Sequence, residues 1–281
     1  GVYEDALFLG SSDGFVLKLD ARSGALIWSV PVRGEILSPP QSNGNVVVVQ
    51  TNDGKLQGLD FTTGKLLWTY DSNIPVLTVR GTSSPIVHND LVYAGFANGR
   101  VLALNANTGA IAWEVRVAIS QGRSEIERLV DVDGTMELAG SELYAASYQG
   151  NLVAIDVDTG TRMWQQKVSS YSGVSQGFGN VYVADEDGTL TAYLRSGEGP
   201  RWTQADLAYR ELSRPTPVGS YVAVADLEGY VHVLSQDTGE FVGRVSVDDD
   251  GARADMVSEG NVLYVYGNSG ELVAYEITAK E

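Results

Sequence analysis

The sequence predicts an all-β fold, a β-propeller of four-stranded antiparallel blades, and three observations support that prediction. A segment of 11 residues that ends in Trp recurs along the chain. Each copy is preceded by short apolar runs that a Gly-containing turn separates. The first two of these tryptophans are 40 residues apart, which is the period of a propeller blade. Because one such sheet cannot bury both of its faces alone, we expect the copies to stack radially around an axis.

Seven copies of the repeat are visible. Four of them align without gaps, at 18–28, 58–68, 103–113 and 154–164. A fifth ends at Trp202, a sixth at 233–243 places Val242 where Trp is expected, and a seventh stops early. The first copy begins at a middle strand, so its innermost strand is missing or lies within residues 1–5. A propeller ring must close, so either seven blades close it or an eighth was lost upstream.

Each copy contains two kinds of turn. The first is a pair such as Asp-Gly between apolar runs, a hairpin signal in which both residues tolerate positive φ. It recurs at Asp13-Gly14, Asp53-Gly54, Asn98-Gly99, Gln149-Gly150, Asp187-Gly188, Glu228-Gly229 and Ser269-Gly270. The second turn is Thr-Gly, and we expect Asp60, Asn105 and Asp156 just before it to close it with a side-chain-to-backbone hydrogen bond. A further short strand, as at 83–90, completes four strands per copy.

Five tryptophans end the copies, at Trp28, Trp68, Trp113, Trp164 and Trp202. A buried Trp covers 150–250 Å², so on the outermost strand each is expected to lie over the neighbouring blade. We therefore interpret them as packing residues and not as a ligand platform. Helix is expected only as a turn or two near 123–130 and 205–211.

Composition excludes several classes of function. A net charge of −17 and a pI near 4.4 make nucleic acid and anionic lipid poor partners. The absence of Cys excludes disulfides, thiolate metal sites and a Cys nucleophile. His88 and His232 are far apart in sequence, which argues against a multi-His zinc site and against a Ser-His-Asp arrangement. No apolar run approaches the ~20 residues of a membrane span, and no signal peptide is visible. The sequence thus predicts neither a metal site nor an enzyme.

Two connections between repeats are longer than the others. The tryptophans of the third and fourth copies are 51 residues apart, and the excess falls at 118–133, which includes the charged stretch QGRSEIERLVDVD. Those of the second and third copies are 45 apart, and the excess falls at 73–82. Both connections join an outer strand to the next inner strand, so they should emerge as neighbours on the face that carries the Asp-Gly hairpins. Loops on a rigid scaffold often carry binding sites, and we expect one here.

The repeat pattern G/A-x-D/N-x-x-T-G-x-x-x-W resembles the tryptophan-docking motif of quinoprotein-like propellers. That motif is shared by PQQ-dependent dehydrogenases and by BamB, a family of outer-membrane β-barrel assembly lipoproteins. The connections favour BamB, because VLTVRGTSSP (76–85), SEIERLVDVDG (124–134), WTQADLAYRELSRP (202–215) and DLEGYVHVL (226–234) are similar to segments of that family. The similarity runs from about residue 6 to 277.

The resemblance implies an eight-bladed propeller, of which 1–281 would be a single domain lacking the N-terminal signal and lipid-anchor segment and about one blade. It implies a non-enzymatic scaffold without a cofactor, on the periplasmic face of the Gram-negative outer membrane. Membrane attachment would come only through an N-terminal lipid anchor that this chain lacks. The implied partners are the periplasmic POTRA domains of BamA, with nascent outer-membrane proteins as a second candidate.

The resemblance also implies which residues bind the partner. They correspond to Leu77, Val79, Arg80, Asp131 and Asp133, with Glu127 and Arg128 as candidates for the rim of the surface. Val79 departs from the family, which usually has Leu there, but it keeps an apolar surface of smaller size. An apolar contact beside the bidentate fork of Arg80, with carboxylates opposite, is a reasonable binding surface.

Several alternatives stay open at this point. Arg80 could pair with Asp131 or Asp133 and hold the two loops together instead of binding a partner. Asp131-x-Asp133 lacks the further oxygen ligands and the Gly spacing of an EF-hand calcium loop, and the acidic run 248–250 predicts a solvated turn. A PQQ-dependent dehydrogenase would need an axial cofactor pocket, a calcium site and a catalytic Asp. A periplasmic ligand-binding propeller would be favoured by an apolar axial pocket.

Overall fold

The computed structural model describes residues 1–72, 83–119, 130–132 and 134–278. Within these ranges every regular element is a β-strand, and the strands form seven antiparallel sheets in chain order. Six sheets have four strands and the seventh has three. The all-β fold of four-stranded antiparallel blades is therefore confirmed. Residues 206–209 form turns and no helix, and 120–129 lies outside the described ranges.

The strands of sheets 1 and 2 are β1 (Val2–Tyr3), β2 (Ala6–Gly10), β3 (Phe15–Asp20), β4 (Leu26–Pro31), β5 (Gln41–Ser42), β6 (Val46–Gln50), β7 (Lys55–Asp60) and β8 (Leu66–Asp71). Those of sheets 3 and 4 are β9 (Ile86–His88), β10 (Leu91–Phe96), β11 (Arg100–Asn105), β12 (Ile111–Arg116), β13 (Glu137–Ala139), β14 (Glu142–Ala146), β15 (Asn151–Asp156) and β16 (Arg162–Lys167). Those of sheets 5 to 7 are β17 (Val174–Gly177), β18 (Asn180–Ala184), β19 (Leu190–Leu194), β20 (Pro200–Gln204), β21 (Thr216–Val218), β22 (Tyr221–Ala225), β23 (Tyr230–Ser235), β24 (Phe241–Ser246), β25 (Val257–Glu259), β26 (Val262–Tyr266) and β27 (Leu272–Glu276). The short β1 shows that the innermost strand of the first copy lies within residues 1–5.

The Asp-Gly pairs lie in hairpins, as predicted. Gly14 has φ of +79°, whereas Asp13 is not among the residues with positive φ. The Gly14 N–H donates to Ser11 O at 3.0 Å and the Ser11 N–H to Phe15 O at 2.9 Å. This pattern is a three-residue loop with a type I turn followed by a left-handed Gly. The predicted hairpin is confirmed, and its loop is one residue longer than a two-residue hairpin, so only Gly14 takes positive φ.

The Thr-Gly turns form as predicted. Asp60 Oδ1 accepts hydrogen bonds from the Thr63 N–H at 2.7 Å and the Thr63 hydroxyl at 2.6 Å. Asn105 accepts the same pair from Thr108, each at 3.0 Å, so an amide oxygen serves as well as a carboxylate. The Thr63 hydroxyl and N–H hold the pKa of Asp60 below its usual value, although burial acts in the opposite direction.

We expect Asp60→Ala to lower the melting temperature at pH 7, and Asp60→Asn to change it little, because Asn105 already fills this turn position. The pKa of Asp60 is lowered in the folded state, so the carboxylate stabilises the fold above the unfolded pKa of about 3.9. That stabilisation is lost as the pH falls through the lower folded pKa. Melting curves of both variants between pH 7 and 3 test this, with Asp158→Ala, an exposed carboxylate in the fourth copy's turn, as control. An equal loss in the Ala and Asn variants would contradict it.

The sheets stack in chain order around an axis. The first strands of most consecutive sheets lie side by side, as β1 does with β5 and β17 with β21. Six core clusters fill the spaces between consecutive sheets, from sheets 1 and 2 to sheets 6 and 7. They consist mainly of Val, Leu, Ala and Tyr side chains with little or no exposed area. The inner strand ends and the connections that precede them therefore converge near the axis.

Each tryptophan docks onto the next sheet, as predicted. The Trp113 indole N–H donates to Val157 O at 2.7 Å, and a Cβ added to Gly160 would lie 2.7 Å from the same indole. The Gly of the Thr-Gly turn thus serves two purposes, since it supplies a left-handed conformation and leaves room for the ring. Trp68, Trp113 and Trp202 are buried, whereas Trp28 and Trp164 are half-buried. The equivalent indole hydrogen bonds join Trp28 to Phe61, Trp68 to Ala106, Trp164 to Arg195 and Trp202 to Gln236.

One position in the sixth copy was assigned wrongly from the sequence. Val233 pairs with Gly243 in the register by which Ala103 pairs with Trp113. The residue at the tryptophan position is therefore Gly243 and not Val242, because the sixth copy has the same spacing as the others.

Sheets 1 and 7 each carry one apolar face with substantial exposure. Leu9 and Phe15 of sheet 1 are each 43% exposed, and Tyr266 and Leu272 of sheet 7 are 52% and 68% exposed. Within the described ranges no core cluster joins sheet 7 to sheet 1. That an eighth blade belongs between these faces stays a prediction.

Candidate functional site

Five connections between consecutive sheets share one backbone hydrogen bond within the described residues. The carbonyl of a residue in the connection accepts an N–H from the hairpin of the sheet that follows. It joins Glu35 to Asn52, Asp131 to Tyr148, Ser169 to Glu186, Arg210 to Leu227 and Gly251 to Asn268, at 2.9 to 3.1 Å. This contact fixes each connection on the face that carries the Gly hairpins. The same face was predicted for the candidate site.

Asp131 is the one predicted site residue within the described ranges, and its side chain is buried at 1% exposure. Its neighbours Val130 and Val132 are also buried, and the Val132 N–H donates to Phe96 O at 3.3 Å. The segment 130–132 is thus held between the hairpins of sheets 3 and 4. Burial favours a structural role for Asp131 over direct contact with a partner. Leu77, Val79, Arg80, Asp133, Glu127 and Arg128 lie outside the described residues.

The N-terminal ends of the two long loops lie together at the hairpin of sheet 3. Asn98 in that hairpin donates to Ser72 Oγ at 3.1 Å, where the first loop begins. The Ala118 N–H donates to Gly99 O at 3.2 Å, where the second loop begins. The C-terminal ends of the two loops also lie close together, since Ser83 Oγ donates to Gly134 O at 3.4 Å. The described residues therefore place the roots of both loops together, in accord with the expectation that the loops are neighbours.

Repeat spacing relates Arg80 to a described arginine. Arg80 precedes the first strand of its sheet by six residues, and so do Asp131 and Arg210. Arg210 reaches the hairpin of the next sheet, where it pairs with Asp226 at 2.6 Å and Glu228 at 2.9 Å. The corresponding hairpin residues for Arg80 are Phe96 and Asn98. Neither of these two hairpin residues of sheet 3 is a carboxylate.

A cationic cleft that sequence analysis missed lies beside the second loop. It has a volume of about 640 Å³, and its lining includes Arg116, Arg162 and Lys167 together with Ile119 and Val130. Ile119 is 61% exposed. The three cations come from the outer strands of sheets 3 and 4, far apart in the sequence, so no local motif indicates them. In a chain of net charge −17, a local positive cluster beside an exposed apolar residue favours an anionic partner surface.

A second missed cluster lies between sheets 5 and 6. Asp226 is fully buried, and its Oδ2 lies 2.6 Å from Arg210 Nη1 and 2.9 Å from His232 Nε2. Its Oδ1 accepts the N–H groups of Glu228 and Tyr230 at 3.0 and 2.9 Å. Burial alone would raise the pKa of Asp226, but the hydrogen bonds with His232, Tyr230 and Arg210 outweigh it and hold the pKa below its usual value. The cluster joins a loop, a hairpin and a strand, and it is a structural ion pair.

A polar cavity of about 310 Å³ lies at the inner ends of sheets 4 to 7. Thr135 donates to Asp255 across it at 2.7 Å, and Arg214 pairs with Glu137 and donates to Val174 O at 2.7 Å. Burial raises the pKa of Glu137, and Arg214 only partly offsets the shift. A cavity crossed by such pairs is not the apolar axial pocket that a ligand-binding propeller would favour.

The described residues contain no cluster of three or more side chains able to hold a metal ion. In the same part of the chain, no helix has the length and apolar character needed to cross a bilayer.

Comparison with known proteins agrees with the sequence resemblance. A family model described as outer membrane protein assembly factor BamB matches residues 1–204. A protein of Pseudomonas aeruginosa named outer membrane protein assembly factor BamB is 48% identical over 207 residues, which cover 74% of this chain and 54% of that protein. The chain thus spans about half the length of that curated relative.

Solved structures give the same result for the fold. The crystal structure of BamB from Moraxella catarrhalis superposes with a TM-score of 0.90 at 33% identity, covering 97% of this chain and 82% of that one. A quinohemoprotein alcohol dehydrogenase from Pseudomonas putida superposes with a TM-score of 0.76 at 14% identity, covering 98% of this chain and 64% of that one. At that identity the second likeness shows a common fold alone.

Proposed function

Because the chain belongs to the BamB family of outer-membrane protein assembly factors, we propose that it is a non-enzymatic scaffold for the assembly of outer-membrane β-barrel proteins. It acts on the periplasmic side of the Gram-negative outer membrane and needs no cofactor. Its partner is the POTRA region of BamA, and nascent outer-membrane proteins are a second candidate partner. The family's own names, which are those of assembly factors, favour this role over a PQQ-dependent dehydrogenase.

The binding surface we propose consists of loops 73–82 and 118–133, exposed Ile119 and the cationic cleft beside it. The observation that carries the proposal is that the roots of both loops meet at the hairpin of sheet 3. Leu77, Val79 and Arg80 in the first loop supply apolar contact and a guanidinium fork, and Asp133, with Glu127 and Arg128 at the rim, belongs to the second. Asp131, which is buried, holds the second loop in place.

We expect Arg80→Glu to weaken binding of the purified POTRA region of BamA at least ~30-fold, since truncating a central interface Arg often costs 2 kcal/mol or more. Isothermal titration of this chain with that region measures the effect. Arg22→Glu is the matched control, because Arg22 is an arginine with an 81% exposed side chain in the β3–β4 turn, on the opposite face. Both variants should keep the parent's melting temperature to within a few degrees, because exposed ion pairs contribute 1 kcal/mol or less.

Equal binding by Arg80→Glu and the parent would refute the site assignment. A purely bracing role for Arg80 gives a different result. Arg80→Ala and Asp131→Ala would then each lower the free energy of unfolding, and the double variant would lose much less than their sum. Binding and unfolding measured on the same proteins therefore separate the two roles.

A further inference from the structure

Sheet 6 lacks the tryptophan that joins every earlier sheet to the next. The outer strands β8 and β12 each bury one residue, the tryptophan. Strand β24 buries none, and Gly243 occupies the tryptophan position. The space between sheets 6 and 7 is thus the one described inter-sheet space without a docked indole.

The other interfaces define what such a space holds. In the space between sheets 3 and 4, Trp113 packs against Tyr93 of its own sheet with ring centroids 5.7 Å apart. Its N–H donates to Val157 O, the carbonyl of the residue that follows the third strand of sheet 4. Equivalent indole hydrogen bonds occur in all five Trp-containing interfaces, at 2.7 to 3.2 Å. These spaces are therefore indole sockets with a fixed carbonyl acceptor.

The space between sheets 6 and 7 is an open groove that contains no indole ring. A groove of about 600 Å³ lies there, and its lining includes Tyr221, Val233, Leu263, Tyr275 and Ile277. A Cβ added to Gly243 would meet nothing closer than Val233 Cβ at 3.9 Å, so the strand itself leaves the groove open. Most of the side chains that line the groove are aliphatic or aromatic.

The hydrogen-bond acceptor is also in place. Ile277 follows the third strand of sheet 7, as Val157 follows the third strand of sheet 4. Its N–H donates to Asn261 O at 2.8 Å, and the Val157 N–H makes the equivalent bond to Ser141 O at 3.0 Å. The Ile277 carbonyl therefore stands at the position that accepts an indole N–H in the other interfaces. The stacking residue differs, since Ala223 stands where sheet 3 has Tyr93, which widens the groove.

We propose that this groove binds the indole side chain of a tryptophan supplied by a partner protein, with its N–H donating to the Ile277 carbonyl. The chain contains five tryptophans, and all five are docked in their own interfaces. A second copy of this chain could supply the ring only by emptying another indole socket, so the occupant that we propose is a tryptophan of a different protein.

The test uses N-acetyl-L-tryptophanamide as a probe of a tryptophan within a chain. We expect saturable binding to the whole chain with a Kd on the order of 1 mM, a typical value for so small a ligand. Its 1-methylindole analogue, which has no N–H donor, should bind several-fold more weakly. Saturation-transfer NMR measures all these affinities. Free tryptophan is the third arm, and tighter binding of free tryptophan than of the amide would overturn the proposal in favour of an amino-acid site.

Gly243→Trp should fill the groove, reduce probe binding at least tenfold and raise the melting temperature. Ser246→Trp is the control, because it adds an exposed indole to the same strand outside the groove, and it should bind the probe as the parent does. If Gly243→Trp does not fold, Gly243→Met fills the same space with a flexible side chain. No saturable binding up to 10 mM, or binding that the filled variants leave unchanged, overturns the proposal.

Discussion

Trp113→Ala should lower the free energy of unfolding by about 3–5 kcal/mol, the range for truncation of a large buried aromatic side chain. Trp113 is 9% exposed, packs against Tyr93 and closes the core cluster between sheets 3 and 4. Truncation leaves a cavity between two sheets and leaves the Val157 carbonyl without its donor. Urea denaturation at pH 7, followed by circular dichroism, gives the measurement.

Two variants locate the source of that loss. Ile111→Ala removes an apolar side chain from the same strand, but Ile111 is 50% exposed, so we expect a loss below 1 kcal/mol. Trp113→Phe keeps most of the apolar contact and loses the N–H donor, so its loss should lie between those of the other two. A loss for Trp113→Ala no greater than that for Ile111→Ala would contradict the docking role of the indole.

The second large effect is expected at Asp226, whose replacement by Ser should cost about 3 kcal/mol, because breaking a buried ion pair leaves its partner uncompensated. Serine keeps the hairpin intact, since Ser147 holds the same position in sheet 4 and its Oγ accepts the Asn151 N–H at 3.1 Å. What the variant loses is the contact of the carboxylate with Arg210 and His232. Urea midpoints at pH 7 measure the difference.

Asp185→Ser provides the matched control. Asp185 has the same hairpin position in sheet 5, and its Oδ1 accepts the N–H groups of Asp187 and Thr189 at 3.1 and 2.8 Å. No ion pair to its carboxylate is found within the described residues. We expect Asp185→Ser to cost less than 1 kcal/mol, so the difference between the two variants isolates Arg210 and His232. Equal losses of unfolding free energy in the two variants would mean that the hairpin hydrogen bonds alone account for the effect, and that Arg210 and His232 contribute nothing.

Lowering the pH should remove the stabilisation that the Asp226 carboxylate provides. The folded pKa of Asp226 lies below its usual value, and the unfolded value is about 3.9. The carboxylate therefore stabilises the fold above about pH 4, and this contribution is lost as the pH falls through the folded pKa. The gap between parent and Asp226→Ser should persist at pH 5 and narrow towards pH 3. A difference in stability between the parent and Asp226→Ser that widens at low pH would contradict the lowered pKa assigned to Asp226.

The repeat could be predicted from the sequence because each of its features depends on local spacing. The Trp at the end of each copy and the Thr-Gly turn after Asp60 need only neighbouring residues to be recognised. The hairpin geometry at Asp13 could not be predicted in the same way, because loop length depends on which backbone groups pair. The error at Val242 arose from a position offset by one residue, which pairing of Val233 with Gly243 resolves.

The candidate site was less accessible to sequence analysis. Resemblance indicated Asp131, but nothing local showed that its side chain is buried, since burial depends on the hairpins of two sheets. The cationic cleft joins Arg116 to Arg162 and Lys167 across a sheet boundary, and the buried cluster joins Arg210 to His232 across a hairpin. Such groupings depend on the order and angle of the sheets, which one repeat does not specify.

The missing indole at Gly243 also bears on how the molecule opens. The stability of a repeat protein is close to a sum of the free energies of its repeats and of the interfaces between neighbouring repeats. The interface between sheets 6 and 7 lacks the large side chain that the earlier interfaces contain. Sheet 7 also has three strands within the described residues and exposes Val257, Tyr266 and Leu272. We therefore expect the amides of sheet 7 to exchange with solvent faster than those of sheets 2 to 5, through local opening of that sheet.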